Sequence, residues 1–251
     1  MNIELYNDDY NNVLKDINYN TIDCIIADLP YNITACKWDK DIIDLDELWK
    51  QYNRIVKDDG NIILFGSQPF TSKLIMSNIQ NFKCEWIWKK NKGSNFATVK
   101  YVPFREHESI LIFKKDKSKV KAKYNPIFEE RNKAGKERVK YSSSNRVKTD
   151  VIDSNSFHKQ TERRTNKELR YPSSVQSFNV ERTGLHPTQK PVALLEYLIK
   201  TYTNENDLVL DNVMGSGSAG VAAKNLNRKF IGIEKDKDYY NIAKERLEYG
   251  K

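Results

Sequence analysis

The chain has 251 residues, 39% of them hydrophobic, which is enough for one sizeable core and suits one α/β domain with an insertion better than two full domains. No apolar run approaches the roughly 18 residues of a membrane span, residues 1–10 are too polar and acidic for a secretory signal, and the scattered Cys24, Cys36 and Cys84 fit neither a disulfide framework nor a zinc site, so a cytoplasmic, reduced protein is expected. The net charge is +8, but residues 114–170 hold 18 Lys+Arg against 8 Asp+Glu, a local +10 that leaves −2 for the rest. A polyanion-binding segment has that asymmetry, and so does a solvated or disordered basic loop.

In chain order, residues 21–27 (TIDCIIA) predict a buried strand that ends at Asp28-Leu29-Pro30-Tyr31. Residues 44–56 place Leu45, Leu48, Trp49, Tyr52, Ile55 and Val56 on one helical face, with Asp58-Asp59-Gly60 as the stop. Residues 61–65 (NIILF) form a second strand, followed by Gly66-Ser67-Gln68-Pro69-Phe70 and a short helix. Residues 83–88 and 109–113 predict two strands with no long helix between them, hence an antiparallel pair. From 114 to about 181 the periodicity fades. Regular signals return with a helix at 190–202 (Pro191 near its start), a strand at 207–211 and a helix from 218. A strand at 230–234 and a closing helix at 238–249 follow. Strands and helices alternate at both ends, which implies one doubly wound, mostly parallel sheet built from both flanks.

The stretch from Asp211 to Gly220 (DNVMGSGSAG) follows a strand and opens a helix. Gly215, Gly217 and Gly220 satisfy G-x-G-x-x-G, a weak signal taken alone. The next strand ends in Glu234, an acid placed to accept hydrogen bonds from ribose hydroxyls. Together they point to an adenosine-containing cofactor. Two features count against NAD. Asp211 precedes the glycines, where a pyrophosphate would be repelled and the positive charges of S-adenosylmethionine attracted, and the unit lies late in the chain instead of ahead of a catalytic domain.

Asp28-Leu29-Pro30-Tyr31 has its own chemical logic. The exocyclic amino nitrogen of a base is a poor nucleophile because its lone pair is delocalised into the ring. Two acceptors that bind both amino hydrogens free that lone pair. Asp28 supplies one, and the carbonyl of Leu29, restrained by Pro30 to extended backbone, supplies the other. Tyr31 offers a ring on which a flipped base stacks. Read alone, D-x-P-Y is common, and a strand followed by a proline turn is its usual meaning.

These motifs, with Phe65-Gly66-Ser67-Gln68-Pro69-Phe70 and His186-Pro187-Thr188-Gln189-Lys190-Pro191, resemble the amino-group (N6-adenine/N4-cytosine) DNA methyltransferases in the permuted, β-group motif order. The resemblance covers roughly residues 3–113 and 183–249. It implies a Rossmann-like fold, S-adenosylmethionine as cofactor and double-stranded DNA as partner. It also implies a catalytic half at 1–113, an inserted basic target-recognition region at 114–182 and a cofactor-binding half at 183–251. Asp28, Leu29, Pro30 and Tyr31 would hold the base. Lys190, Pro191, Asp211, Met214, Gly215, Ser216 and Gly217 would surround the cofactor's methionine part, with Asp28 nearby and His186 ordering the preceding loop. Glu234 would bind ribose, and Asp9, or alternatively Asp8, would lie near adenine.

The sequence departs from the commonest pattern at Leu29, Val213-Met214 and Ala219. The acid at 28 favours adenine over cytosine within the family. A homodimer and a partner restriction nuclease are both compatible with the resemblance. The alternatives are N4-cytosine methylation, an NAD-dependent oxidoreductase and a non-catalytic DNA-binding module. His107 and His158 lack metal-ligand spacing, Trp86, Trp88 and Phe113 suit the core, and Trp38 suits either the base pocket or packing. Lys89, Lys90 and Lys92 follow a strand and suit either phosphate contact or a solvated edge.

Overall fold

The computed structural model describes residues 2–30, 43–141, 168–181 and 189–249. They fall into two compact units, one of residues 1–125 and 174–251, the other of residues 126–173.

The larger unit opens with β1 (Ile3–Tyr6) and α1 (Tyr10–Asp16), neither of which the sequence periodicity announces. Asp9 starts α1 by accepting a hydrogen bond from the Asn11 amide at 2.9 Å, the usual work of an N-cap carboxylate. β2 (Ile22–Ala27) is buried along its whole length. α2 (Leu45–Ile55) follows from its sequence: Asp44 caps the amides of Asp46 and Glu47 at 3.1 Å, Asp46 and Glu47 sit at the positive end and Arg54 at the negative end. Its residues Leu45, Leu48, Trp49, Tyr52 and Ile55 recur at helical spacing and are all buried.

The expected stop at Asp58-Asp59-Gly60 is corrected here. The helix ends at Ile55 and β3 (Val56–Gly66) begins at once, with Val56 opposite Ile22 and Asn61 opposite Cys24, so residues 57–60 bulge out of the ladder. Gly60 is required there, because a Cβ would lie 2.7 Å from Val56 Cγ2 and 2.9 Å from the Asp23 carbonyl oxygen. α3 (Phe70–Ser77), β4 (Phe82–Lys89) and β5 (His107–Lys114) follow. β4 and β5 pair antiparallel, Trp86 opposite Ile110, as the short connection requires.

After the smaller unit come β8 (Val175–Ser177), α5 (Val192–Tyr202), β9 (Leu208–Asp211), α6 (Ser218–Asn225), β10 (Lys229–Ile233) and α7 (Lys237–Tyr249). The eight strands form one sheet in the order β1-β10-β9-β2-β3-β5-β4-β8. The first five are mutually parallel, β5 runs against β3 and β4, and β8 lies parallel to β4. Side-chain alternation along the strands fills both faces. Ile25, Ala27, Ile62, Leu64, Leu111 and Phe113 join a core with the α2 residues. Their neighbours Cys24, Ile26, Ile63, Phe65, Ile110 and Ile112 join a second core with α5, α6 and α7. This is the doubly wound α/β architecture that the sequence implies. No helix among the described residues is long and apolar enough to cross a membrane.

Part of the basic stretch belongs to this larger unit. Lys123 Nζ reaches Asp23 at 2.6 Å and Asp207 at 2.8 Å, Lys115 reaches Asp58 at 2.8 Å, and the Asn125 amide donates to the Thr201 carbonyl at 2.7 Å. Residues 114–125 are therefore stitched to the sheet by their own cations. The smaller unit holds β6 (Glu129–Glu130), α4 (Lys133–Tyr141) and β7 (Leu169–Arg170), with β6 antiparallel to β7. It is held by Arg170–Glu129 at 2.8 Å and by the Phe128 and Tyr171 rings at 5.0 Å. Its residues 126–173 lie within the 114–182 that the resemblance implies for the inserted region.

Candidate active site

Parallel strands β1, β10, β9 and β2 all end at one edge of the sheet. Between β9 and β2 the winding reverses: α6 carries the chain from β9 to β10 on one side, and α2 carries it from β2 to β3 on the other. Such a switch point leaves a crevice at the carboxyl ends of the strands. Here the crevice is a cavity of about 490 Å³, lined from β2 by Ala27 and Asp28, from β9 by Asp211, and from beyond β10 by Glu234.

The loop after β9 shapes one wall. Gly215 and Gly217 have φ of 52° and 77°, left-handed values that favour glycine. A Cβ on Gly217 would lie 2.9 Å from that of Ala243, so the glycine also lets α6 start tight against α7. The Gly215 amide donates to Glu234 Oε2 at 2.9 Å, and the Asp236 amide to Oε1 at 2.8 Å. Each oxygen keeps capacity to accept another hydrogen bond. Burial raises the Glu234 carboxyl above its ordinary range despite those amides. Asp211 is pushed up to about 8 by burial, reinforced by the nearby Asp28 and Glu234 carboxylates and opposed by the Val213 amide. The loop is also tied to α2, because the buried Tyr52 hydroxyl donates to Asn212 Oδ1 at 2.6 Å.

Opposite that wall, Lys190 pairs with Asp28 and lies 3.4 Å from Glu108 Oε2. The second contact is ionic, without hydrogen-bond alignment. Glu108, at the start of β5, pairs through its other oxygen with Lys90, just beyond β4. The result is an alternating line of four charges, Asp28–Lys190–Glu108–Lys90, of which Lys190 is buried and the others partly buried. The Lys190 ammonium lies 5.1 Å over the Phe65 ring, a cation–π contact. Burial opposes the Lys190 charge, but the Asp28 and Glu108 carboxylates outweigh it and hold the group above its ordinary value. Burial likewise opposes ionisation of Glu108, and Lys190 and Lys90 more than reverse it, so the carboxyl falls below its usual range.

Of the residues singled out in the sequence, Asp9, Asp28, Pro30, Lys190, Asp211, Met214, Gly215, Ser216 and Glu234 line the one cavity. Leu29 turns its side chain into the core, Pro191 caps α5, and Gly217 packs on α7, so none of these three presents a side chain to the cavity. Tyr31, Trp38, His158 and His186 lie outside the described residues. Asp8 lines the cavity beside Asp9, whose carboxylate is lowered: its burial is outweighed by the Asn11 amide and by Lys235 at 3.2 Å. Trp86, Trp88 and Phe113 are core residues. Sequence reasoning missed Glu108 and Gln189, and it left Lys90 between a phosphate contact and a solvated edge. Lys90 is instead half of an ion pair, and the signal was available: Glu108 is an acid standing immediately before an apolar strand.

The family model described as "DNA methylase" (N6_N4_Mtase) matches residues 22–245. A stretch of 67 residues, 27% of this chain, is 57% identical to the Type II methyltransferase M2.LlaDCHI of Lactococcus lactis subsp. cremoris, although the match spans only 25% of that relative. The DNA adenine methyltransferase YhdJ of Escherichia coli (strain K12) is 30% identical over 94% of this chain and 79% of its own length. Among solved structures, the M1.HpyAVI–SAM complex superposes with a TM-score of 0.65 at 26% identity, covering 98% of this chain and 99% of that one. With the family model matched over residues 22–245, most of the chain, on a fold and a site of this form, the chain belongs to the N6_N4_Mtase family of DNA methylases.

Proposed function

We propose that the chain transfers a methyl group from S-adenosylmethionine to the N6 amino group of adenine in duplex DNA. The observation that carries this reading is one cavity shared by an ion-paired Asp28 at the end of β2 and by the Asp211–glycine loop–Glu234 wall. Family membership removes the nicotinamide-dependent alternative.

The residues present fit the cofactor. Buried Asp211 suits its cationic end, the left-handed glycines let backbone approach closely, and Glu234 has acceptor capacity for ribose hydroxyls. Bound there, S-adenosylmethionine would supply the methyl group on a positively charged sulfur. The chain supplies position. Asp28 and the Leu29 carbonyl accept the two amino hydrogens of the target base and localise the nitrogen lone pair. Asp28 orients the amine instead of deprotonating it beforehand, since a carboxylate is far too weak a base for that. Lys190 fixes the rotamer of Asp28 through their ion pair. Adenine is favoured over cytosine by the acid at position 28 and by the likeness to an adenine enzyme. The smaller unit, with the basic segment around it, is the proposed target-recognition region.

The test is transfer of labelled methyl to unmethylated genomic DNA, with nucleoside mass spectrometry of the digest. N6-methyladenine is the expected product. N4-methylcytosine would correct the base and keep the chemistry, and absence of any methylated nucleoside would overturn the proposal.

Asp211 makes cofactor binding depend on pH. Its carboxyl is pushed up to about 8 even with Lys190 nearby, and a cationic ligand favours the ionised form. Affinity for S-adenosylmethionine should therefore tighten by up to about tenfold per pH unit as pH rises toward 8, then level off. The cofactor's own amine titrates in the same region, so the readout is the ratio of wild-type to Asp211→Asn affinity across pH. A ratio that stays constant would show that Asp211 is not the titrating group.

A further inference from the structure

The connection between β4 and β5, residues 90–106, leaves the sheet at the edge where the cavity opens. β4 runs parallel to β2 and β3, so its end at Lys89 and the start of β5 at His107 lie at the carboxyl ends of those strands. The connection is an ordered hairpin. The Ser94 amide donates to the Arg105 carbonyl at 3.2 Å and the Arg105 amide to Asn95 Oδ1 at 2.7 Å. A short 3-10 turn spans Phe96–Thr98, and the Phe96 and Phe104 rings pack edge to face at 4.8 Å. The Arg105 side chain donates to Ser67 Oγ at 3.0 Å, fastening the hairpin to the loop after β3. At its root, Lys90 belongs to the line of charges that ends on Asp28.

What this hairpin displays is unusual for a surface. Phe96 is 65% exposed and Tyr101 85%, with Val99 and Val102 also exposed beside them. The run 89–105 carries Lys89, Lys90, Lys92, Lys100 and Arg105 and no acid. Exposed rings alone would suit another protein surface. Lys90 is neutralised by Glu108, and Glu106 closes the hairpin, but Lys92 and Lys100 stand exposed beside the rings, and rings set among cations fit a partner that offers phosphates and flat apolar faces together. We propose that the 90–106 hairpin is a DNA-contacting element separate from the basic inserted region. Lys92 and Lys100 would lie on backbone phosphates, and Phe96 and Tyr101 against bases or sugars of the duplex next to the target nucleotide. This rests on the DNA methyltransferase reading above and adds a second contact surface to it. Extracting a base opens a gap in the stack, and aromatic side chains carried on an element rooted beside the pocket can cover the bases left exposed.

The experiment compares wild type, Phe96→Ala/Tyr101→Ala and Lys92→Ala/Lys100→Ala. Duplex binding is followed by fluorescence anisotropy on a mixed-sequence duplex over a salt series, methyl transfer is measured on genomic DNA, and cofactor affinity and oligomeric state are measured alongside. The lysine pair should flatten the log–log salt dependence of binding by about two units, since each phosphate contact contributes about 0.9. The aromatic pair should leave that slope alone and lower kcat/KM for DNA at least ~10-fold, consistent with loss of one or two base-stacking contacts. Cofactor affinity and oligomeric state should stay as in wild type. Duplex affinity, salt slope and kcat/KM all unchanged in both variants would overturn the proposal, as would a shift of oligomeric state in the aromatic pair, which would make the patch a contact between copies. Hairpin-dependent binding without methyl transfer by the wild type would keep the hairpin and sink the methyltransferase reading. Transfer that ignores the hairpin would do the reverse.

Discussion

Replacing Asp28 with alanine is expected to reduce methyl transfer to DNA by at least ~10²-fold, the scale on which removal of one preorganised polar partner acts in other active sites. The side chain is partly exposed on the cavity wall, and its ionic partner Lys190 retains Glu108 when Asp28 is gone. The variant should therefore fold and bind S-adenosylmethionine within a few-fold of wild type. A kinetic split separates positioning from binding: kcat falls, and KM for the cofactor stays nearly constant. Activity retained within threefold would mean that Asp28 does not hold the reacting amine. A matched loss of cofactor affinity would mean that it belongs to the cofactor wall instead.

The largest expected effect on stability lies elsewhere. Asp23, on β2, is buried, and it accepts hydrogen bonds from Lys57 at 2.8–2.9 Å, Lys123 at 2.6 Å and the Leu208 amide at 2.9 Å. Removing one member of a buried ion cluster leaves uncompensated charge, so Asp23→Ala should cost about 3 kcal/mol, the low end of the range because Lys57 is partly exposed. Urea titration followed by tryptophan fluorescence reads this as a lowered midpoint with little change in slope. A cost below about 1 kcal/mol would show the cluster to be solvent-screened. Burial raises the Asp23 carboxyl, but the Leu208 amide and the two lysines outweigh it, so its folded value lies below the unfolded one near ~3.9. Its contribution is thus complete above about pH 4 and disappears as pH falls through the lowered folded value, so the gap between wild type and Asp23→Ala should narrow in acid.

How much of this was legible in the sequence depends on the range of the interactions involved. α2 could be read because its apolar spacing, cap and end charges are all local. The glycine loop and Glu234 could be read because strand, turn and acid are contiguous. β1 could not, since residues 3–6 form a strand only through pairing with β10, Ile3 opposite Phe230 and Tyr6 opposite Ile233. β8 is invisible for the same reason, being three residues long and defined by its pairing with β4. In the site, Asp28 and Lys190 could each be singled out, but their ion pair spans most of the chain. Glu108 joins them only because β5 folds back beside β3. The basic run misled in part: charge counted along the sequence does not distinguish Lys123, which neutralises Asp23 and Asp207, from cations facing solvent.

The pairing of β1 with β10 also bears on the moment at which activity can arise. The segment proposed to hold the base, on β2, is synthesised early, whereas β9, the glycine loop and Glu234 emerge some two hundred residues later. β1 has no strand beside it until β10 exists, and Asp8 and Asp9 reach the cavity only through that strand. Local helices of the leading half can form on a growing chain, but the long-range parallel pairs cannot. A chain still in synthesis therefore carries the segment proposed to hold the base without the wall proposed to hold the methyl donor. Modification of DNA begins only when the last strand has been threaded between its two neighbours, so an unfinished chain is chemically silent.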